Sequence, residues 1–521
     1  MTEADIDAVR DWLRRLPGGS LDDRYGGDWD TFTTLDKPAV TLFGAYDTGK
    51  SSLLRRLIVD TGGTVPDWLT ISARHETFDV DSTEIAGCTV RDTPGFTAGA
   101  SDLRARTNTG RALAAVGLTD IGVAVLTSQL ATAERDLLRQ LIARDWPAGA
   151  LWFVISRFDE AGADPEYDLD GYRELADRKV RELRELFGLD ERTPVFVVAQ
   201  DPYQTGGPET DLDRTAWDAF RSWDGMAALS GAIEAVSPAG LPTWRAAAGR
   251  RYWTAALTET LAELREQLAD FTAQAAVAAR GTERRDGWLT ELGTLDRAAQ
   301  AALEGLVDEV LRRPRDTGGD LQAELKHTLD TWFTRHESRL QRLRESIRKT
   351  RDRERAQPSW TGFATLVTSL ETADEPGPTR TAVAGHVETV GTMLFGLLKV
   401  ASDNARGKSK VAKAIGVAGA HLGTVEAALP LVVYLAGLYD DHRTDGARRT
   451  DDQAAAARRQ QAAAECTGLA REIWQPYVDE VRDLILTETA DQADLDTGLR
   501  DLVTHLQEAV ATGERLRGPA S

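Results

Sequence analysis

Residues 44–51 read GAYDTGKS, which matches the pattern G-x-x-x-x-G-K-S. The apolar run Ala39–Phe43 precedes this stretch and the helical pattern Ser52–Leu57 follows it, so the motif has the strand–loop–helix context of a phosphate-binding loop. Glycines at both ends let the backbone turn its N–H groups onto phosphate oxygens, and the following helix presents its positive end to them. A chance glycine-rich turn is the alternative, but the flanking elements favour a nucleotide site.

The residue types within the loop predict their roles. Lys50 is expected to reach the β and γ phosphates, and the Ser51 hydroxyl is expected to bind Mg²⁺. The candidate nucleotide contacts are the loop residues and the first positions of the helix, namely Gly44, Tyr46, Asp47, Thr48, Gly49, Lys50, Ser51 and Ser52.

Between residues 39 and 240 the sequence alternates apolar runs with helical patterns. This alternation predicts an α/β domain with a mostly parallel sheet wrapped by helices. The expected strands are Ala39–Phe43, Thr77–Ile85, Cys88–Arg91, Ile121–Leu126, Leu151–Ile155 and Pro194–Val198.

A second motif, Asp-Thr-Pro-Gly at residues 92–95, follows the expected strand Cys88–Arg91. An aspartate at a strand end can hold Mg²⁺ through water, and the Gly95 N–H can contact a γ-phosphate. The next helical pattern starts only near Leu103, so Phe96–Asp102 is predicted to be a mobile switch loop. Asp92 and Gly95 therefore join Lys50 and Ser51 as candidate catalytic residues.

In this order and spacing, the motifs resemble the translation-factor-related P-loop GTPases and, within them, bacterial dynamin-like large GTPases of the LeoA type. The resemblance implies GTP and GDP as ligands with Mg²⁺, and guanine recognition by residues 156–159, SRFD, where the family has N/T-K-x-D. Asp159 would accept hydrogen bonds from guanine N1 and N2, and Arg157 would lay its stem along the base. Ala199 stands where the family places a backbone contact to the base. Because Ser156 and Arg157 depart from the usual pair, an ATPase stays open as an alternative.

The sequence leaves two further parts of the catalytic site open: the switch I ligand of Mg²⁺ and the group that places the attacking water. Thr77 is the first choice for the Mg²⁺ ligand of switch I, and Thr70 is the rival. Arg74 could stabilise the transition state, although a solvated surface arginine is the simpler interpretation. In dynamin-like proteins a polar residue stands where this chain has Tyr46, and Asp47 places a carboxylate near the γ-phosphate. We therefore expect slow hydrolysis, or hydrolysis that depends on dimerisation or a partner.

After Pro242 the strand signals vanish and helical composition dominates, with a break expected near Pro314. The resemblance to dynamin-like proteins implies that segments 4–16, 244–270 and 460–490 form a neck, and an unrelated helical bundle is the alternative. The predicted domains are residues 1–35 (N-terminal neck helix), 36–241 (GTPase domain), 242–375 (helical stalk), 376–442 (apolar and basic helical tip) and 443–521 (returning stalk and neck helices).

The predicted tip contains the most apolar stretches, Val390–Val400 and Val411–Tyr439. Its cations suit an anionic lipid surface, while a helical hairpin buried in protein is the alternative. The candidate membrane residues are Lys399, Arg406, Lys408, Lys410 and Lys413.

A charged segment outside the tip, Arg342–Arg355, is expected to be a solvated helix face with i,i+4 ion pairs.

The composition restricts the partners. The formal net charge is −21, which argues against nucleic acid as a partner, because phosphate backbones are repelled. Two cysteines far apart in sequence fit a reducing cytosol, and we expect a cytoplasmic protein that can associate peripherally with a membrane.

The combined prediction is an Mg²⁺-dependent dynamin-like protein that binds and hydrolyses GTP and couples the nucleotide cycle to movement of a helical stalk at a membrane. The expected partners are a guanine nucleotide, an anionic membrane surface, and a homodimer mate or a second dynamin-like protein. The alternative is a soluble P-loop GTPase or ATPase switch whose helical half binds a protein partner without membrane contact.

Overall fold

The computed structural model describes residues 3–17, 20–71, 80–96, 103–130, 133–312, 321–372, 398 and 451–518. The chain forms two compact units. Residues Met1–Ala262 together with Ala511–Ser521 make up the first unit, and Glu263–Val510 make up the second. The finer domain boundaries expected from the sequence stay a prediction.

A six-stranded sheet lies at the centre of the first unit. Its order is β2-β3-β1-β4-β5-β6, with β2 antiparallel to β3 and every other pair parallel. The predicted class, an α/β domain with a mostly parallel sheet followed by a long helical region, is confirmed. The strands are β1 (Ala39–Phe43), β2 (Asp81–Ile85), β3 (Cys88–Asp92), β4 (Ile121–Thr127), β5 (Leu151–Ser156) and β6 (Val195–Val197).

The helices cover both faces of the sheet and then continue into the second unit. Because helices lie on both sides, every residue of β1 and of β5 is buried, which explains their continuous apolar sequences. The helices are α1 (Glu3–Arg14), α2 (Asp22–Thr33), α3 (Lys50–Asp60), α4 (Leu103–Gly117), α5 (Arg135–Ile142), α6 (Leu169–Phe187), α7 (Met226–Glu234), α8 (Leu241–Arg312), α9 (Leu321–Arg355), α10 (Pro358–Thr372) and α11 (Asp451–Arg517).

The N-terminal helices pack on the first turns of α8. The ring of Trp29 stacks on Tyr252 with centroids 6.3 Å apart, and the Arg10 guanidinium lies 5.3 Å from the Trp253 ring. A Cβ added to Gly513 would lie 2.7 Å from the Trp12 ring, so the end of α11 also contacts α1. Of the segments expected to form a neck, 4–16 belongs to this unit, 460–490 belongs to the other compact unit and 244–270 is divided between the two, and the neck stays a prediction.

The second unit is built by α8, α9 and α11 around a shared apolar core, with α10 following α9. Two indole N–H groups fix the register, because Trp332 donates to the Ala299 carbonyl at 2.8 Å and Trp474 donates to Asp296 at 2.9 Å. Helix α8 ends at Arg312, close to the break expected near Pro314. Among the described helices, none combines the length and apolar character needed to cross a membrane.

Candidate nucleotide-binding site

The stretch Gly44–Ser51 forms the loop between β1 and α3 at the carboxyl edge of the sheet, where α/β folds bind their ligands. A Cβ at Gly44 would collide with the Val125 carbonyl oxygen, and one at Gly49 would collide with the Gln200 amide nitrogen. Gly49 also has φ +79°, a left-handed conformation that favours glycine. Both glycines are thus required by the path of the loop.

Lys50 lies inside this loop. Its ammonium group donates to the carbonyl oxygens of Ala45 at 2.9 Å and Gly44 at 3.4 Å, and the residue is 6% exposed. Burial lowers the Lys50 pKa to about 8, and the charges of Asp92 and Asp47 oppose this effect. A phosphate anion beside the amine would further stabilise the charged form.

Ser51 and Asp92 meet between α3 and the end of β3. The Ser51 hydroxyl donates to Asp92 Oδ2 at 2.6 Å, and Asp92 is fully buried. Burial raises the pKa of Asp92, while Lys50 and Ser51 lower it. Its other oxygen, Oδ1, has no hydrogen-bond partner within the part of the chain that the structure describes.

This orphaned oxygen indicates that the pair fits a magnesium ion. Mg²⁺ prefers oxygen ligands and commonly uses one or two carboxylates in sites that hold phosphates. A divalent cation would also favour the ionised form of Asp92.

The segment after Asp92 is fastened to the phosphate-binding loop. Phe96 N–H donates to the Gly44 carbonyl at 3.0 Å, and Tyr46 N–H donates to the Phe96 carbonyl at 3.2 Å. A Cβ at Gly95 would lie 2.6 Å from Tyr46 Cα, so only glycine permits this close approach. Phe96, the first residue of the predicted switch loop, is fully buried; residues 97–102 lie outside the described residues, so the switch loop stays a prediction.

Ser156 tethers the phosphate-binding loop from the neighbouring strand. It is fully buried at the end of β5, and its hydroxyl lies 2.6 Å from the Thr48 carbonyl oxygen and 2.9 Å from the Leu126 carbonyl oxygen. One hydroxyl therefore joins the loop to β4 and β5. In the sequence Ser156 stands out only as a departure from the family pattern, so this role was not predicted.

Arg157 forms an ion pair with Asp47, the acidic residue that the sequence places near the γ-phosphate. Its Nη1 lies 3.3 Å from Asp47 Oδ1, and its Nη2 lies 3.0 Å from Glu160. A Cβ at Gly49 would lie 3.5 Å from Arg157 Cδ, so the stem runs beside the loop. The carboxylate of Asp47 is thus balanced by a cation rather than left facing the phosphates alone.

Asp159 lies in the short 3₁₀ turn Phe158–Glu160 that follows β5. It is partly buried, which raises its pKa, and Oδ2 accepts a hydrogen bond from the Tyr203 N–H at 3.0 Å. An ionised carboxylate has about four acceptor positions, so this bond leaves capacity for the two donors of a guanine.

Ala199 does not suit the role that the resemblance implied. It is fully buried, and its N–H donates to the Asp224 carbonyl oxygen at 2.9 Å. That N–H is occupied, so we do not retain Ala199 as a base contact. The neighbouring Gln200 faces the site instead, because its Oε1 accepts from the Arg157 N–H at 2.9 Å.

Two fully buried arginines of α3, Arg55 and Arg56, connect the phosphate end of the site to the loop after β6. Arg55 pairs with Asp201 at 3.0 Å, and Arg56 pairs with Asp224 at 2.5 Å. Sequence analysis missed both. The available signal was their place inside an apolar helical pattern, where an unpaired charge would be costly.

Several predicted residues cannot be placed. Thr77 and Arg74 of the expected switch I lie outside the described residues, while Thr70 is exposed and Ser52 is partly buried at the start of α3. All five candidate membrane residues also lie outside the described ranges, namely Lys399, Arg406, Lys408, Lys410 and Lys413. Their roles stay predictions.

Comparison with solved structures returns similar architectures at low identity. The LeoA bacterial dynamin GTPase from ETEC is 15% identical, with 100% of this chain and 98% of that chain covered and a TM-score of 0.31. A structure of an oligomerised bacterial dynamin pair, described as sensing and tethering membranes, is 10% identical over 98% and 93% of the two chains, with a TM-score of 0.34. Both of these structures are of bacterial dynamins, the family that the motifs of this sequence resemble.

A third match covers about a third of the chain. Era, solved with MgGDPNP and a 16S ribosomal RNA segment, is 18% identical over 31% of this chain and 51% of that chain, with a TM-score of 0.24. No protein-family model and no curated protein matches the sequence. At these identities and TM-scores the likeness does not assign a function, which we argue from the site.

Proposed function

We propose that this chain binds GTP and GDP with Mg²⁺ and hydrolyses GTP. The observation that carries the proposal is the buried pair of Ser51 and Asp92 beside Lys50, with a carboxylate oxygen that has no partner among the described residues. Ser51 and Asp92 would hold the metal, which would supply charge for the phosphate oxygens. Lys50 would neutralise the β and γ phosphates, and the Gly95 N–H would orient the γ-phosphate.

Guanine is the base that the site suits best. Guanine presents two donors, N1–H and N2–H, and the Asp159 carboxylate can accept both. Arg157 would cover the base with its stem while Asp47 and Glu160 hold its guanidinium in place. An adenine offers no paired donors in that position, so Asp159 would discriminate against ATP.

Hydrolysis is proposed to be slow in the isolated chain. Tyr46 is 46% exposed and Asp47 is held by Arg157, so neither is placed to orient an attacking water. The missing group would come from dimerisation or from a partner. The hydrolysis cycle would move the helical second half, as in a dynamin-like protein, and the basic tip would meet an anionic membrane.

Nucleotide binding is tested by titrating a fluorescent GTP analogue with magnesium. We expect binding and slow turnover by the wild type, and no binding by Lys50→Ala, while Lys179→Ala keeps both. Turnover of GTP by Lys50→Ala at the wild-type rate would show that the site is elsewhere.

Base selection is tested separately. We expect unlabelled GTP to displace the analogue far better than ATP, and Asp159→Asn to favour xanthosine triphosphate, whose C2 carbonyl can accept from the new amide. Equal competition by ATP and GTP would exclude guanine recognition by Asp159 and leave a general P-loop ATPase.

Membrane association is tested by flotation with vesicles that contain anionic lipid. Binding by the wild type and its loss when Lys408, Lys410 and Lys413 are changed to Glu would support the dynamin-like proposal. If neither protein floats, the alternative of a soluble switch with a protein partner gains support.

A further inference from the structure

Tyr203 joins the two loops that follow β5 and β6 on the base side of the proposed nucleotide site. Its backbone N–H donates to Asp159 Oδ2 at 3.0 Å, and its phenol hydroxyl donates to Asp164 Oδ1 at 2.7 Å. Asp159 and Asp164 both belong to the loop after β5, whereas Tyr203 follows β6. One residue therefore holds the carboxylate that is proposed to recognise the base and a second acid on the same loop.

The backbone of Tyr203 has an uncommon conformation. Its φ is +52° and its ψ is +23°, and the next residue, Gln204, has φ +56°. Side chains with a Cβ disfavour this left-handed region, so two such residues in succession store strain. Conformations of this kind persist where surrounding contacts hold them, and they cluster at ligand-binding sites.

The other left-handed residues of the chain support this link to a ligand. Among the described residues, five that are not glycine have a left-handed φ. Ala86 lies in the turn between β2 and β3, and the other four lie in the phosphate-binding loop or in the two loops beside the proposed base position. These four are Asp47, Arg157, Tyr203 and Gln204.

The acceptor of the phenol hydroxyl is itself fixed in a turn. Asp164 Oδ1 also accepts from the Glu166 N–H at 3.0 Å, and the Asp164 carbonyl oxygen accepts from the N–H groups of Tyr167 at 3.2 Å and Asp168 at 2.9 Å. Because Asp164 is held in this way, its bond to the phenol restrains Tyr203 rather than following it.

The ring of Tyr203 is held by two further aromatic side chains. It packs edge-to-face on Phe220 with centroids 5.8 Å apart and on Trp223 with centroids 6.1 Å apart, while about half of the residue stays exposed. The ring contacts do not involve the hydroxyl, so removal of the hydroxyl alone leaves them in place.

We propose that Tyr203 is a positioning residue for guanine, because it fixes one oxygen of Asp159 so that the remaining acceptor positions of the carboxylate face the N1 and N2 donors of the base. This inference rests on the proposed binding of guanine nucleotides, and it adds a residue outside the 156–159 motif on which base selectivity depends. A carboxylate that rotates freely would bind the two donors less well, since hydrogen bonds weaken steeply as their angle departs from linearity.

The experiment measures how well GDP and IDP displace a ribose-labelled fluorescent GDP from the full chain in the presence of magnesium. IDP lacks the N2 amino group and has the same phosphates, so the ratio of the two dissociation constants reports the contact to N2. We expect the wild type to bind GDP about tenfold more tightly than IDP, since the amino group adds a hydrogen bond to a charged acceptor. Tyr203→Phe removes only the hydroxyl and should lower this ratio by about threefold or more.

Two changes to the acceptor show whether the bond to Asp164 is responsible. Asp164→Ala should lower the GDP-to-IDP preference as Tyr203→Phe does, and the double variant should lose no more than either single variant, because both remove the same bond. Asp164→Asn keeps an acceptor oxygen and should retain more of the preference than Asp164→Ala. The control is Tyr167→Phe, a highly exposed tyrosine of the same loop, which should bind both nucleotides like the wild type.

Three outcomes in the variants would overturn the role of Tyr203. One is a wild-type preference for GDP over IDP in Tyr203→Phe, and another is a loss of affinity for both nucleotides by the same factor, which would indicate a structural role for the loop. The third is additive losses in the double variant. Failure of the proposed function is distinguishable, because it would appear in the wild type itself: absence of GDP binding, or equal binding of GDP and IDP, would overturn guanine recognition by Asp159 together with this inference.

Discussion

Replacing Ser156 with alanine should loosen the phosphate-binding loop without removing any residue that touches the nucleotide. The hydroxyl is fully buried and lies 2.6 Å from the Thr48 carbonyl oxygen. Its loss leaves that carbonyl and the Leu126 carbonyl without this donor, which costs about 1–3 kcal/mol for a buried group. If the bound loop must recover this cost, the GTP dissociation constant rises about 5- to 100-fold, since 1.4 kcal/mol corresponds to a factor of ten.

The matched control is Thr119→Val. The Thr119 hydroxyl is also fully buried and also lies near two carbonyl oxygens, those of Ala39 at 2.9 Å and Ile121 at 3.0 Å, at the opposite end of β1, and it accepts a hydrogen bond from the Thr41 hydroxyl at 2.8 Å. Thermal unfolding should show a loss of stability in both variants that is at least as large for Thr119→Val, while titration of a fluorescent GTP analogue should show weaker binding only for Ser156→Ala. Wild-type affinity in a Ser156→Ala protein that is as destabilised as Thr119→Val would refute the tether.

Three further substitutions test the packing inside each compact unit. Arg56→Met should destabilise the first unit by about 3–5 kcal/mol, because it leaves Asp224 buried without its cation; chemical denaturation measures this, and a change below 1 kcal/mol would contradict the ion pair. Gly281→Ala should lower the melting temperature despite the higher helix propensity of alanine, because the new methyl group would collide with the Gln492 side chain. Gly287→Ala on the same helix meets open space and should raise stability by up to about 1 kcal/mol, so equal effects of the two alanines would contradict this packing.

The parts of the fold that follow from local pattern were predicted well. Strand β1 has the predicted bounds, and β4 and β5 each extend one residue beyond them, because a parallel strand covered on both faces reads as an uninterrupted apolar run. The loop at Gly44–Ser51 and Asp92 at the end of β3 were also predicted, because each motif is recognised from one strand and the turn that follows it.

The parts that depend on distant partners were not predicted. Arg55 and Arg56 appeared polar in the sequence, yet both are buried because Asp201 and Asp224 meet them from a loop far along the chain. Ala199 was assigned a base contact from its position after a strand, but its N–H is taken by a carbonyl that sequence spacing does not reveal.

Helix α3 begins with Lys50 at the phosphate end, and one turn later its two arginines hold the segment that carries Asp201 and Asp224. The phosphate-binding loop and the segment that carries Asp201 and Asp224 are therefore both held by α3. A designer who transplants another loop after β6 to change base preference must also supply acids for Arg55 and Arg56. Otherwise Arg55 would lose Asp201 and Arg56 would keep only Asp60 of its own helix, so a buried cation would lie uncompensated next to the phosphate-binding loop.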